Sequence, residues 1–351
     1  MTTGTNDIST LLASRNQSIA AFGLTNIIPI LNRELAAHNQ MVRGMLSGLA
    51  TFTTDRQRKY GTSSQADMYE VDEYGRAPTQ VAKPGDTAGF PLKLFQTSIG
   101  WTDKWFQIKT PADMAIAVQA AERAHLRMYS REIKRAFMLS ANYSWNDFLV
   151  DGVTLAVKRL VNADGGAIPE GPNNEIFDPN THTHYAGTST LVVQNLLDLI
   201  NNVVEHGQGT MVQLDINKGN EAAVRALTGF TPYIDPRITL NANANSATER
   251  LDYTKVDNRA IGLLGGAEVW VKPWMPLNYY FCYDTGSPPP LVVRQRDSES
   301  MQGLRIVSQN DAFPLHAQFM EAEFGIAVWN RTNGAMLLSG NASYQDPSIT
   351  S

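Results

Sequence analysis

The longest uninterrupted pattern in this sequence is a stretch of about 30 residues that predicts one helix. It opens with "TPAD", which places Thr110 at the N-cap, Pro111 at the first helical position and Asp113 at the third, as in a capping box. No glycine and no second proline follow before Ser140. Such a helix is about 45 Å long at about 1.5 Å per residue. Because this is far above the usual helix length, we expect a spine around which a domain is built.

A long polar segment precedes this helix. "YEVDEYGRAPTQVAKPGDTAGFPLKLF", residues 69–95, is rich in glycine, proline, aspartate and threonine and has almost no apolar run. Residues 95–105 then alternate apolar with polar or small, which predicts a strand, and "ADMYEVDEY" is a weaker strand signal upstream. We therefore predict a long two-stranded hairpin over about residues 56–109. An excursion of this length buries little of its own surface, so we expect a neighbouring chain to cover it.

Residues 1–60 predict a helix-prone, loosely packed arm. Apolar side chains in "LTNIIPILNRELAAHNQMVRGMLSGL" recur at roughly helical spacing, with Pro29, Gly44 and Gly48 as interruptions. The arm has three more basic than acidic side chains, whereas the whole chain has a net charge of −5. It could face a polyanion, but ordinary solvated charges explain the pattern more simply.

The chain after the long helix predicts a small α/β subdomain followed by a β-rich end. An amphipathic helix over 188–206, capped by Thr188 or Ser189, is followed by the strand "TMVQLDIN" and the short helix "GNEAAVRALTG". Residues 230–260 read as a loop. Further strands are predicted near 267–272, 279–284, 290–296 and 303–309. "FMEAEFGIAVWNRTNGAMLLSG" predicts strand, turn and strand, with Asn333 and Gly334 as a two-residue hairpin turn.

Composition excludes several classes of protein. The 351 residues are 43% hydrophobic and 18% charged, enough for a large core in two subdomains. Cys282 is the only cysteine, so intramolecular disulfides are impossible, and its apolar strand "NYYFCYDT" predicts a buried thiol. No secretory signal and no apolar stretch near 18 residues is found, which led us to expect a soluble intracellular product. With a net charge of −5, nothing in the overall charge indicates a nucleic-acid-binding protein.

No catalytic signature is present: there is no phosphate-binding glycine loop, no zinc-protease helix and no nucleophile elbow. His182 and His184 in "THTHYAG" could bind a metal together with Asp178, but the sequence fixes no further ligand, and we expect an exposed loop without a metal. Trp101 and Trp105 could mark a ligand pocket, although tryptophans at strand spacing more often lie in a core or a subunit interface.

The order of these elements resembles the major capsid proteins of tailed bacteriophages, which have the Hong Kong 97-type fold. The resemblance covers nearly the whole chain: basic arm, extended β loop, long helix, α/β subdomain and closing sheet. Two phrases support it. "VDEYGRAPTQ" is similar to the tip of the extended loop in that family, and "FGIAVWNRTNGAML" is similar to its C-terminal sheet.

The resemblance implies an α+β fold with named regions. These are an N-arm at 1–55, an extended loop (E-loop) at 56–109, a peripheral (P) domain with the spine helix at 110–185 and 305–345, an axial (A) domain at 186–304, and a tail at 346–351. It also implies candidate contact residues between subunits, namely Glu73, Tyr74, Gly75, Arg76, Lys83, Trp101 and Trp105. The candidates for facing DNA from the arm are Arg56, Arg58 and Lys59.

The implied role is structural, without catalysis, cofactor or metal. Hexamers and pentamers of the chain would close an icosahedral shell around double-stranded DNA, together with portal, scaffolding and possibly decoration proteins and without a membrane. The shell would be assembled in the host cytoplasm and become part of the virion.

Two features of the family have no clear counterpart here. Some members form a covalent crosslink, for which Lys83 or Lys93 with Asn333 or Asn341 could be imagined, but no motif fixes either pair. Many members also carry a cleaved scaffolding segment, and without a long charged helical prefix we expect a separate scaffolding protein. Two alternative functions stay open: an encapsulin-like nanocompartment shell, and a soluble α/β enzyme using Asp178, His182 and His184.

Overall fold

The computed structural model describes residues 8–61, 68–80, 85–233, 258–312 and 315–349. Its helices are α1 (Ile8–Ala13), α2 (Ile19–Phe22), α3 (Leu24–Leu46), α4 (Asp103–Ile108), α5 (Pro111–Met138), α6 (Val193–Val204) and α7 (Glu221–Arg225). Its strands are β1 (Ala50–Thr53), β2 (Gln57–Tyr60), β3 (Asp86–Gly89), β4 (Lys93–Thr102), β5 (Tyr143–Asn146), β6 (Thr154–Val157), β7 (Tyr185–Thr188), β8 (Val212–Ile216), β9 (Thr231–Pro232), β10 (Arg259–Leu264), β11 (Ala267–Val271), β12 (Tyr279–Asp284), β13 (Leu291–Gln295), β14 (Arg305–Ala312), β15 (Leu315–Val328) and β16 (Ala335–Ser339). Two 3₁₀ turns lie at Lys218–Asn220 and Glu299–Met301.

The long helix begins and ends close to where the sequence predicts. The Asp113 carboxylate accepts hydrogen bonds from the Thr110 backbone N–H and hydroxyl, both at 3.0 Å. These bonds satisfy a donor that the first turn leaves free and lower the pKa of Asp113. The result is a helix of 28 residues.

Two sheets flank this helix. The first sheet has the order β1-β13-β15-β14, and β4 pairs with the long strand β15 over ten residues, from Lys93 opposite Phe324 to Thr102 opposite Leu315. The second sheet has the order β7-β16-β12-β8-β11-β10-β9. Both are mixed, since β1-β13, β8-β11 and β7-β16 are parallel pairs in otherwise antiparallel surroundings.

α5 contacts both sheets through stacked aromatic rings. Tyr129 stacks on Phe324 of the first sheet, with ring centroids 3.9 Å apart, and Phe137 stacks on Phe281 of the second at 4.4 Å. α6 covers the other face of the second sheet with Leu196, Leu199, Ile200 and Val203. The predicted spine and the α+β architecture are thus confirmed. None of the helices in the described ranges is long and apolar enough to cross a membrane.

The arm, however, is not loosely packed. Ile27, Leu31, Leu35 and Val42 on α3 are each at most 3% exposed and belong to the same core cluster as α5 and the first sheet. The prediction failed because the interruptions at Pro29, Gly44 and Gly48 suggested a weakly formed helix. Pro29 lies in the second turn of α3, where its missing N–H removes one hydrogen bond of the helix, to the carbonyl of Thr25, and the burial of the apolar face outweighs this loss.

The extended hairpin is shorter than predicted. β2 pairs with β3 at the base, but residues 68–80 contain no strand, so "ADMYEVDEY" is not a strand in the part of it that the structure describes. The strand predicted as the other half of the hairpin, β4, pairs instead with β15 of the first sheet. The downstream strand also ends earlier than expected. The Thr102 hydroxyl accepts a hydrogen bond from the Trp105 N–H at 3.1 Å and caps α4, so Trp105 is helical.

The predicted Asn333-Gly334 hairpin is wrong. β15 belongs to the first sheet and β16 to the second, so the chain crosses from one sheet to the other here. Asn333 is fully buried, and its side chain donates to the carbonyls of Asp284 and Pro288, both at 2.9 Å, and accepts from the Asp284 N–H at 2.7 Å. The Asn333 side chain therefore holds this connection against the end of β12, and its own N–H closes a turn with the Asn330 carbonyl at 3.2 Å.

The sheets do not follow the predicted regions throughout. β13 lies within the predicted A-domain range of 186–304 but pairs with β1 and β15 of the first sheet. β16 lies within the predicted P-domain range of 305–345 but pairs with β7 and β12 of the second. The loop predicted at 230–260 lies mostly outside the described residues, as do Lys83 and the final two residues of the tail.

α6 is shorter than the predicted range of 188–206 and is capped differently. Its N-cap is Val192, whose backbone N–H donates to the Asn195 side chain at 3.0 Å. Val192 itself is 48% exposed and not part of the apolar face.

Candidate functional site: exposed apolar surfaces and a histidine cluster

The tip segment, residues 68–80, is exposed along its whole length. Met68 is 100% exposed, Tyr74 89%, Val71 50% and Tyr69 47%. The segment is held in a turn by its own backbone: Asp72 accepts from the Tyr74 N–H through its side chain and from the Gly75 N–H through its carbonyl, both at 3.0 Å. Its apolar side chains are therefore presented to the outside in an ordered turn.

Of the residues predicted for subunit contact, Glu73, Tyr74, Gly75 and Arg76 all lie in this exposed turn. Trp101 does not offer a comparable surface. It is 6% exposed and packs beside Trp105 and Phe106, with ring centroids 5.6 and 5.9 Å away. Most of its surface is buried within the chain, as expected of a core tryptophan, one of the two environments that tryptophans at strand spacing usually occupy.

A second exposed apolar surface, the hairpin turn, lies between β5 and β6 at residues 147–153. Phe148 is 59% exposed, and Val150 and Val153 are 50% exposed. Asp147 organises this turn through its carbonyl, which accepts from the N–H groups of Val150 at 2.9 Å and Gly152 at 3.1 Å. No sequence signal marked this surface, because its four apolar residues in seven form no recognisable period.

Below the hairpin turn lies a buried ionic network. The Asp147 carboxylate is fully buried and contacts Arg294 at 3.0 Å and Arg56 at 3.1 Å. Arg294 is 4% exposed, and it also donates to the Phe90 carbonyl at 2.8 Å. The network therefore joins β13, the hairpin turn and the base of the extended loop.

The candidates for facing DNA are largely engaged within the chain. Arg56 contacts Asp147 and also pairs with Asp151, where its hydrogen bonds lower the pKa of Asp151 to about 2. Arg58 pairs with Asp55 at 2.6 Å, and its guanidinium lies 5.1 Å from the Trp329 ring centroid. Lys59 is exposed.

The side chains imagined for a crosslink are poorly placed. Lys93 pairs with the buried Glu132 at 2.5 Å, and Asn333 is buried with its side chain fully hydrogen-bonded. Asn341 is exposed, and Lys83 lies outside the described residues.

Four side chains form a compact cluster on the second sheet, defined here as the histidine cluster: His182, His184, Glu205 and His206. Their ligand-type atoms lie within 4.8 Å of one another. The three histidine Nε2 atoms form a triangle with sides of 3.2, 3.1 and 3.0 Å, and Glu205 Oε1 lies 3.4 Å from His182 Nε2. His184 is fully buried, so the expectation of an exposed loop is wrong for this histidine.

Sequence reasoning found only half of this cluster. His182 and His184 directly precede β7, whereas Glu205 and His206 follow the last turn of α6, and only the fold brings the two pairs together. Asp178, the ligand suggested by proximity in sequence, instead accepts from the Asn180 N–H and the Thr181 hydroxyl, both at 3.0 Å. Burial lowers the pKa values of all three histidines, that of His206 to about 3, so the rings are neutral at physiological pH.

Comparison with known proteins identifies the fold. A solved structure from Mycobacterium phage Patience matches with a TM-score of 0.67 and 20% identity, covering 99% of this chain and 97% of that one. More distant matches include the capsid of a native GTA particle (TM-score 0.48, 12% identity, 84% and 89% covered) and the encapsulin complex from Synechococcus elongatus (0.43, 11%, 89% and 91%). These two are too remote to support an inference. No protein-family model matches the chain, and no curated protein is similar to it in sequence.

The match shows that this chain shares the fold of the phage structure, and the helices and sheets confirm the α+β class predicted from the sequence. It extends over nearly the full length of both chains, so the arm, the extended loop and both sheets take part in it.

Proposed function

We propose that this chain is the major capsid protein of a tailed bacteriophage, which self-assembles into an icosahedral shell around double-stranded DNA. The observation that carries the proposal is the full-length likeness in fold to a structure from a phage. The exposed, ordered tip segment supports it, because a chain that worked alone would leave this apolar surface in water.

The arrangement of surfaces fits an assembly role. The tip segment and the hairpin turn are separated in sequence and both present large apolar side chains on turns held by backbone hydrogen bonds. Contacts through several such surfaces are individually weak, but each subunit in a closed shell makes many of them at once. A shell built in this way needs no larger core within each subunit.

The regions keep their proposed roles with one adjustment. The first sheet and α5 would form the peripheral region, and the second sheet with α6 and α7 the axial region near the centre of hexamers and pentamers. In this proposal β13 would belong to the peripheral region and β16 to the axial one, because β13 pairs within the first sheet and β16 within the second. Portal, scaffolding and decoration proteins would be further partners, the shell would be part of the virion, and the role would be structural and not enzymatic.

Electron microscopy and sedimentation of the purified chain test the proposal, with its scaffolding protein co-expressed where one is found. We expect closed shells or capsomer rings. A chain that stays monomeric at high concentration under both conditions would contradict the proposed function.

Substitution at Tyr74 tests the tip segment in the same assay. Tyr74→Ser removes an aromatic side chain that is 89% exposed, so the unassembled protein should unfold at an unchanged temperature. Aromatic contacts at interfaces commonly contribute about 1–2 kcal/mol or more, so the concentration needed for assembly should rise by about 10-fold. Tyr74→Phe keeps the ring and is the matched control. Equal assembly of Tyr74→Ser and the wild type would exclude this contact.

A further inference from the structure

We propose that the histidine cluster binds one zinc ion, with His182, His184 and His206 as nitrogen ligands and Glu205 as the fourth ligand. Three imidazoles and one carboxylate suit Zn²⁺ and related transition metals, whereas Mg²⁺ and Ca²⁺ prefer sites made of oxygen. Four ligands from the protein define a closed, structural site and not a catalytic one.

The distances between the ligand atoms agree with tetrahedral coordination. Bonds of about 2.0–2.1 Å place two ligand atoms about 3.3 Å apart in a tetrahedron. The Nε2 separations of 3.0–3.2 Å and the 3.4 Å from Glu205 Oε1 to His182 Nε2 are close to that value. Glu205 Oε1 lies 3.9 Å from His206 Nε2, so a small adjustment of the carboxylate completes the geometry.

The hydrogen-bonding capacity of the rings also points to a cation. His184 Nδ1 lies 2.7 Å from the Gly334 carbonyl oxygen, which can only accept a hydrogen bond. Nδ1 therefore carries the proton, and Nε2 of the neutral ring carries a lone pair. Each of the three Nε2 atoms carries either a proton or a lone pair, so at least two of the three facing atoms are alike and repel. A metal ion at the centre would accept the lone pairs of all three Nε2 atoms as coordinate bonds, which removes this repulsion.

The surroundings of His184 resemble those of metal-binding histidines, whereas Nδ1 of His206 has no hydrogen-bond partner among the described residues. The bond from His184 to Gly334 fixes the tautomer and orientation of the ring. Phe177 packs against His182 and His206, with ring centroids 4.8 and 4.3 Å apart, and helps to exclude water. Among the described residues, the buried Glu205 Oε1 has no hydrogen-bond partner, as expected of an atom reserved for a metal.

The ion would tie three separate parts of the chain together. It would join the segment before β7 to the end of α6, and His184 would link both to the residue just before β16. Because the ligands come together only in the folded chain, binding of zinc would stabilise the fold.

Zinc titration of the full chain after chelator treatment tests the site without reference to assembly. We expect one zinc per chain by elemental analysis, a raised unfolding temperature, and strong visible absorption when Co²⁺ is used in place of zinc. His182→Gln and Glu205→Gln change partly exposed side chains and should each weaken zinc binding by at least about 10-fold. Asp178→Asn is the control and should bind zinc as the wild type does.

Three outcomes would overturn the proposal. They are a wild-type chain that binds less than stoichiometric zinc, a weak Co²⁺ spectrum typical of octahedral coordination, and cluster variants that retain wild-type affinity. None of them bears on the capsid function, which is judged from the assembly of shells.

Discussion

Asp215 is a buried carboxyl at the centre of β8. It is fully buried, accepts one hydrogen bond from Gln213 at 2.6 Å, and its other oxygen has no partner among the described residues. Burial raises the pKa of Asp215 to about 7, because the low-dielectric interior disfavours the charged form. The folded state therefore binds more protons than the unfolded state between about pH 4 and 7.

Stability should fall as the pH rises through this window, and the loss should be complete above pH 7. Asp215→Asn can still accept the bond from Gln213 and does not ionise. We expect it to be about 1–3 kcal/mol more stable than the wild type at pH 8 and nearly equal at about pH 4, where the carboxyl is protonated in the folded state and about half protonated in the unfolded state. Urea unfolding of the unassembled chain at both pH values measures this. Asp198→Asn, at an exposed carboxylate of α6, is the control, and a pH-independent difference for Asp215→Asn would refute the assignment.

At the scale of elements, the ionic network around Asp147 couples three segments that are far apart in sequence. Asp147→Ala would leave the guanidinium of Arg294 almost buried without its carboxylate partner, which commonly costs about 3–5 kcal/mol. The double variant Asp147→Leu with Arg294→Met removes both charges and should recover most of this loss. Thermal unfolding of Asp147→Leu, Arg294→Met and the double variant gives the coupling energy of the pair. Additive losses would show that the pair does not act as a unit.

The elements that the sequence predicted well are those fixed by local chemistry. The capping box at Thr110, the apolar face of α6 and the strands β8, β11, β12 and β13 follow from patterns within a few residues of each position. The misassigned elements depend on distant partners. Asn333-Gly334 has the residues of a hairpin turn, but the strands on either side of it lie in different sheets. β15 pairs with β13 in the first sheet, and β16 pairs with β12 in the second.

The same difference between local patterns and distant partners explains which candidate sites could be predicted from the sequence. The exposed tip segment was predicted because its polar composition is visible in the sequence itself. The histidine cluster was missed because Glu205 and His206 are ordinary helix-end residues until α6 packs against the segment before β7. The pairing of Arg56 was missed because Asp147 and Asp151 follow it by about 90 residues.

At the scale of the whole molecule, the charge distribution bears on how the chain meets DNA. The net charge is −5, and the arginines proposed to face DNA are engaged: Arg56 with two aspartates and Arg58 with Asp55. Only Lys59 of the proposed residues is both exposed and free of a named ion pair. If the chain forms the proposed shell, a wall with these properties would enclose DNA without holding it tightly, since affinity for phosphates comes from unpaired cations.

We therefore expect the unassembled chain to bind double-stranded DNA weakly and with little dependence on salt. Each neutralised phosphate contributes about −0.9 to the slope of log K against log salt, so three or fewer contacts give a slope shallower than about −3. Fluorescence anisotropy with a short labelled duplex over a range of salt concentrations measures this slope. Lys59→Gln should reduce the small binding further, whereas Arg56→Gln should leave it unchanged, because the Arg56 charge is already neutralised by Asp147 and Asp151. A steep slope that becomes shallower in Arg56→Gln would contradict this, because it would show that Arg56 breaks its ion pairs with Asp147 and Asp151 to bind DNA.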